Sequence, residues 1–151
     1  MKFRICKTFE IENGHMLSLH PGKCRYPHGH TRKVEIVLEA DALDDKDMVC
    51  DFSVIKTCAE EIVELWDHAI CVNTEDPYYE QLKKSFGERV IGFEDIEPTT
   101  EVMAQSMYEH LSVAMQKYLA APKAGFPLND KVRLSRLRVW ETSSSWAEYE
   151  A

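Results

Sequence analysis

Basic residues are in short supply. Lysine and arginine total 18 against 26 aspartates and glutamates, a formal net charge of −8 over 151 residues. That balance argues against a chain built to hold nucleic acid. Long apolar runs are missing as well. Nothing approaches the ~20 consecutive apolar residues that span a bilayer, so no membrane partner is expected. The opening Met1-Lys2-Phe3-Arg4-Ile5-Cys6 alternates at once, in the manner of a strand and not of a secretion signal. There is no Cys-x-x-Cys pair, and the five cysteines are odd in number. They favour reduced thiols in a cytoplasmic protein over a disulfide framework. No internal repeat and no break in composition marks a boundary, so residues 1–151 read as one domain.

What is there is ordinary for a globular chain, with 44% hydrophobic and 29% charged residues. Residues 3–13 alternate, with Phe3, Ile5, Phe9 and Ile11 on one parity, which predicts a half-buried strand. Residues 16–29 form a loop rich in Pro, Gly and His. A second strand runs from about His30 to Ala40, with Val34, Ile36, Leu38 and Ala40 on one face, and pairs with the first as an antiparallel hairpin. Asp41–Asp47 is a solvated acidic turn. From Ser53 the period becomes helical: Val54, Ile55, Ala59, Ile62, Val63 and Trp66 share a stripe, with Ser53 or Asp51 as N-cap. Residues 74–97 are too long for a structureless connection, and a short helix is expected around Tyr78–Phe86.

Pro98-Thr99-Thr100-Glu101 starts another helix, whose Met103, Met107, Leu111, Ala114 and Tyr118 make a core face. After a loop at Ala121–Asp130, Val132–Trp140 alternates again and Glu141-Thr142 ends that strand. Trp146–Tyr149 is a last short strand. The order ββααββ predicts an α+β fold: an antiparallel sheet with two helices on one face.

The chemistry concentrates in Cys24-Arg25-Tyr26-Pro27-His28-Gly29-His30. In an extended segment His28 and His30 point to the same face. The hairpin brings His15, at the end of the first strand, toward the start of the second. Three imidazoles leave one position of a zinc tetrahedron open, the catalytic pattern, and zinc suits imidazole better than magnesium or calcium does. Two alternatives stand beside this one. His20 replaces His15, although it sits mid-loop, or Cys24 fills the fourth position and makes the zinc structural. Asp67-His68 is a cap at a helix end or a charge pair in which the carboxylate raises imidazole basicity. Cys24 beside His⁺ or zinc would ionise readily. Glu141, at a strand end, is a solvated side chain or an acceptor for a flat guanidine-like edge.

The set Phe9, His15-x-Leu17, Cys24-x-x-x-His28-Gly-His30, Met48-Val49-x-Asp51-Phe52, Asp67-His68, Pro98-Thr-x-Glu101 and Glu141-Thr142 resembles the 6-pyruvoyltetrahydropterin synthase / 6-carboxytetrahydropterin synthase family, in family order and over nearly the whole sequence. The Cys-to-His spacing resembles the bacterial 6-carboxy branch. The resemblance implies a tunnelling fold (T-fold) in which trimers close a barrel and two trimers stack as a homo-hexamer, with active sites between subunits. It implies Zn²⁺ on His15, His28 and His30, and Cys24 as the proton-abstracting base. It implies His68 and Glu141 as relay partners, Asp67 supporting His68, and Glu141 anchoring the pterin ring. The implied substrate is 7,8-dihydroneopterin triphosphate. The carboxy branch converts it to 6-carboxytetrahydropterin with loss of acetaldehyde and triphosphate, toward queuosine; the 6-pyruvoyl branch eliminates triphosphate alone. A rival of another class is a non-catalytic, zinc-stabilised oligomer. Lys23, Arg25, Arg32 and Lys33 are expected to form a local positive patch for the triphosphate. Asn13-Gly14, Trp66 and Asn73 depart from the family pattern, and residues 74–97 are long. None of these touches an implied ligand or base, and all bear on pocket shape.

Overall fold

The structure, a computed structural model, describes residues 1–151. Strands β1 (Phe3–His15) and β2 (His28–Ala40) form an antiparallel ladder that runs from Phe3 opposite Ala40 to His15 opposite His28 without a slip. Helix α1 (Phe52–Trp66) follows, then β3 (Ala69–Asn73), a short α2 (Tyr79–Phe86), β4 (Val90–Phe93), the long α3 (Thr100–Ala120), β5 (Arg133–Thr142) and β6 (Ser145–Tyr149). Short 3₁₀ turns occupy Lys23–Arg25 and Gly87–Arg89. The sheet order is β4-β3-β1-β2-β5-β6.

The α+β class and the two principal helices on one sheet face are as the sequence suggests, and the predicted short helix is α2. The sheet, however, is mixed. β3 and β4 run parallel to β1 and extend the sheet beyond the antiparallel strands. Ala-Ile-Cys-Val-Asn and Val-Ile-Gly-Phe are short apolar runs with no alternation, the mark of strands covered on both faces. Cys71 faces the main core, whereas Val72 and Val90 face a second cluster completed by Met16, Ile70, Tyr79 and Leu82 of the α2 side. Gly92 lets α2 lie close: a Cβ there would meet the Tyr79 hydroxyl at 2.5 Å.

The main core is the seam between α1, α3 and the inner face of the hairpin. Val54, Ile55, Ala59, Ile62 and Trp66 meet Met103, Met107 and Leu111 over Ile11, Val34, Ile36 and Leu38. The methionine stripe is therefore core. Of the two N-cap candidates for α1, Asp51 does the capping, accepting from the Ser53 amide at 2.8 Å; Thr99 caps α3 through the Val102 amide at 3.2 Å. Two departures from the family pattern answer each other. The buried Asn13 amide donates to the Trp66 carbonyl (2.9 Å) and to Ala69 (3.3 Å), satisfying the end of α1 and fastening it to β1.

Candidate metal centre and active site

Register positions the three imidazoles. His15 is the last residue of β1 and lies opposite His28, the first of β2; Asn13 lies opposite His30. The His15 and His30 Nε2 atoms are 3.3 Å apart, and ligand nitrogens of all three rings lie within 4.8 Å of one another. For Zn–N bonds of about 2.0–2.1 Å, a tetrahedral edge is roughly 3.3–3.4 Å. The outer nitrogens fix two of the rings. His15 Nδ1 donates to the Pro98 carbonyl (2.8 Å), just ahead of α3, and His28 Nδ1 donates to the Tyr26 carbonyl (2.7 Å). With Nδ1 carrying the proton, each Nε2 lone pair faces the shared space. His15 Nε2, so freed, lies 3.3 Å from His30 Nε2, and this donor set fits a metal ion.

Burial supports the ligand form. His15 is 1% exposed, and burial lowers its pKa to about 4 despite the Pro98 hydrogen bond, with Arg32 and the neighbouring imidazoles acting in the same direction as burial. His30 is lowered as well, chiefly by burial and then by Arg32, with Glu141 opposing. Both rings are neutral at pH 7, as a metal requires.

Glu141 reaches this centre from the other side of β2. A bulge in the β5–β6 pairing falls between Trp140 and Thr142, the position of Glu141. Its Oε1 lies 3.6 Å from His15 Nε2 and 3.7 Å from His30 Nε2, and it accepts from the Thr100 hydroxyl at 3.0 Å. Bulges are a common way to aim a side chain into a site. Thr100 in turn accepts from Arg32 Nη1 at 3.1 Å. Arg32 has no exposed surface, so its expected place in a surface patch for phosphate is corrected. It shares the parity of His30 and Val34, the core face of β2, and that alternation was the signal for it. Lys23, Arg25 and Lys33 are exposed.

His20 is outside the imidazole group; its Nδ1 accepts from the Gly22 amide at 2.9 Å. Cys24 is likewise outside that group. It sits half-buried with a free thiol in the Lys23–Arg25 turn, which is tied to the foot of the histidine loop by Leu17 N–H donating to the Cys24 carbonyl (3.0 Å). Asp67 and His68 form a pair, with His68 Nδ1 2.9 Å from Asp67 Oδ2. Asp67 Oδ1 also accepts from the Glu12 amide at 2.7 Å, and this bond, the largest cause, lowers the carboxyl's pKa. The His68 backbone is left-handed (φ 58°), and its N–H donates to the Glu12 carbonyl at 2.6 Å. The imidazole itself is 74% exposed in a cleft with Phe9, Lys56, Val63 and Arg89, and it touches none of the triad. A single subunit therefore brings together His15, His28, His30 and Glu141 and leaves Asp67–His68 facing outward elsewhere.

A mixed sheet with its main helices on one face, and three imidazoles gathered at the mouth of its longest hairpin beside a carboxylate, define a class: an α+β protein with a three-histidine centre able to hold a metal. Residues 4–151 match the family model described as 6-pyruvoyl tetrahydropterin synthase. The chain belongs to that family of enzymes. It is 31% identical to the 6-carboxy-5,6,7,8-tetrahydropterin synthase of Aquifex aeolicus, over 99% of both proteins. It is 26% identical to the protein of the same description from Haemophilus influenzae, covering 98% of this sequence and 99% of that one. The fold is shared with an uncharacterised protein from Wolinella succinogenes (TM-score 0.78, 21% identity, 99% and 98% covered). It is also shared with 6-pyruvoyl tetrahydropterin synthase of Caenorhabditis elegans (TM-score 0.69, 19% identity, 100% and 96% covered).

Proposed function

We propose that this chain is a zinc-dependent 6-carboxytetrahydropterin synthase acting on 7,8-dihydroneopterin triphosphate, in the cytoplasm, in the route to queuosine. The observation that carries the reading is the three-histidine centre with Glu141 held against it, on a sequence matched end to end by relatives of that description.

His15, His28 and His30 would hold the zinc, whose part is Lewis-acid polarisation of the substrate's side-chain hydroxyls. The residues of the protein supply the rest. The carboxylate of Glu141 accepts from the adjacent ring N–H and exocyclic N–H of the pterin, a flat two-donor edge that matches a carboxylate. Anchored there, the pterin projects its hydroxylated substituent over the imidazoles. The Cys24 thiolate removes a proton from the substituent carbon that the polarised hydroxyl acidifies. His68, oriented by Asp67, exchanges that proton with solvent.

Because His68 faces away from the triad of its own subunit, this reading places it in the site of a neighbouring one. Two free edges support such an assembly. The outer edge of β1 is paired to β3 only at residues 13–15, and β6 closes the other side of the sheet with nothing beyond it. Unpaired edges of this kind join readily to another copy, and the hexamer of two stacked trimers follows this pattern. No helix is long and apolar enough to cross a membrane.

Mass spectrometry of products from zinc-loaded protein and 7,8-dihydroneopterin triphosphate, with acetaldehyde trapped, tests the proposal. 6-Carboxytetrahydropterin with acetaldehyde is the expected result. A 6-pyruvoyl product without acetaldehyde would move the protein to the sister reaction, and no product with intact zinc binding would favour a structural metal.

A further inference from the structure

Arg32 is the least expected side chain in the core. Its guanidinium has no exposed surface, and its Nε has no hydrogen-bond partner. Nη1 donates to Thr100 Oγ1 at 3.1 Å. Nη2 lies 3.4 Å from His15 Nδ1, but that nitrogen already carries a proton for the Pro98 carbonyl at 2.8 Å, so two donors face each other there. Arginine cannot shed its proton in a protein, and an isolated buried cation is strongly disfavoured. Glu141 is the carboxylate whose charge acts on the guanidinium. The β2–β5 pairing reaches Val34 opposite Val139, and Arg32 and Glu141 lie just beyond that end on their two strands. Thr100, in the first turn of α3, stands between them, accepting from Arg32 and donating to Glu141 Oε1 at 3.0 Å.

We propose that Arg32 is a positioning residue for the pterin-anchoring carboxylate: acting through Thr100, it orients Glu141 toward the ring it binds. This rests on the reading of Glu141 as that anchor. Arg32 touches neither substrate nor metal. Its hydrogen bond turns the Thr100 hydroxyl so that its single proton must point to Glu141 Oε1. That leaves Oε2 and the outer lone pair of Oε1 for the two N–H groups of the pterin edge. A buried cation with one satisfied donor contributes little to holding the fold; replacing buried ionic groups by apolar ones of similar volume is often neutral for stability. Its value lies in the site above it.

The test uses the full-length zinc-loaded protein and neopterin, a phosphate-free pterin, titrated by fluorescence, with zinc per subunit and thermal midpoint measured for every variant. Arg32→Met and Thr100→Val are each expected to weaken neopterin binding about ten-fold, the loss of one hydrogen bond to a charged group. The double variant is expected to bind about as poorly as either single one, because the two residues act in series. Arg32→Lys and Thr100→Ser should recover part of the affinity, and zinc stoichiometry and thermal midpoint should hold throughout. Unchanged affinity in Arg32→Met, or losses that multiply to about a hundred-fold in the double variant, would overturn the proposal. If Arg32→Met does not fold, Thr100→Val against Thr100→Ser decides: equal binding by the two counts against the relay. Glu141→Gln separates the premise, since wild-type binding by that variant would remove the anchor and the proposal together.

Discussion

His15 lies directly opposite His28 across the β1–β2 ladder, at the end of a pairing that runs to Phe3 and Ala40 without a bulge. A slip of one residue would turn every side chain of one strand to the other face. The hydrophobic alternation that buries Ile11, Val34, Ile36 and Leu38 therefore also sets the geometry of the candidate metal centre. The core and the site share one register.

Removing ligands and removing the base should separate cleanly. His28→Ala is expected to lose zinc, read by metal analysis after gel filtration. Cys24→Ala is expected to keep one zinc per subunit while turnover falls by at least about 100-fold, the lower range for loss of a positioned general base. Zinc lost from both variants would make Cys24 a ligand and the metal structural.

The methionine stripe of α3 should behave as core. Met107 is fully buried between the two main helices and the sheet. Met107→Ala should destabilise the protein by roughly 2–5 kcal/mol in urea unfolding, with zinc stoichiometry unchanged in the folded fraction.

Much of this was legible in the sequence because period and burial coincide. Phe3 to Ile11 and Val34 to Ala40 alternate, and the stripes of α1 and α3 recur at helical spacing, so the hairpin, both helices and the place of His15, His28 and His30 could be read directly. β3 and β4 could not. Each is only four or five residues long and covered on both faces, so neither shows a period. The role of Arg32 was obscured for a different reason. Its neighbours Lys23, Arg25 and Lys33 suggest a solvated basic cluster, and charge is a poor guide to burial when parity says otherwise. Thr100 is invisible to spacing arguments, because what gives it a place is its contact with Arg32 and Glu141, side chains 68 and 41 residues away in the sequence. His68 shows a further limit: its motif is plain, yet a lone subunit does not carry it to the triad.

Stability of the metal-free protein should fall as the pH is lowered through the His15 window. Burial holds the His15 pKa at about 4, below the ordinary 6.5, so between those values the unfolded state binds the extra proton and the native state does not. The contribution is complete above pH 6.5 and is lost progressively as the pH falls toward 4, amounting to roughly 3 kcal/mol at most. Denaturant titrations from about pH 7 to about pH 4 should show the loss, and His15→Gln should flatten it in that range. An unchanged slope in the variant would assign the acid sensitivity to other groups.

The outward-facing Asp67–His68 pair gives the sharpest test of a shared active site. His68 is 74% exposed and bonded only to Asp67 and the Glu12 backbone, while the imidazole triad of the same subunit is gathered at the hairpin mouth. His28→Ala lacks a ligand but keeps a sound His68; His68→Ala has the reverse defect. Each variant alone should be inactive. Unfolded together and reassembled, they should form mixed oligomers in which some sites draw an intact triad from one subunit and an intact His68 from its neighbour. Activity should return to a sizeable fraction of that of the wild-type protein treated in the same way. If each subunit served its own site, every site in the mixture would carry one defect and no activity would return.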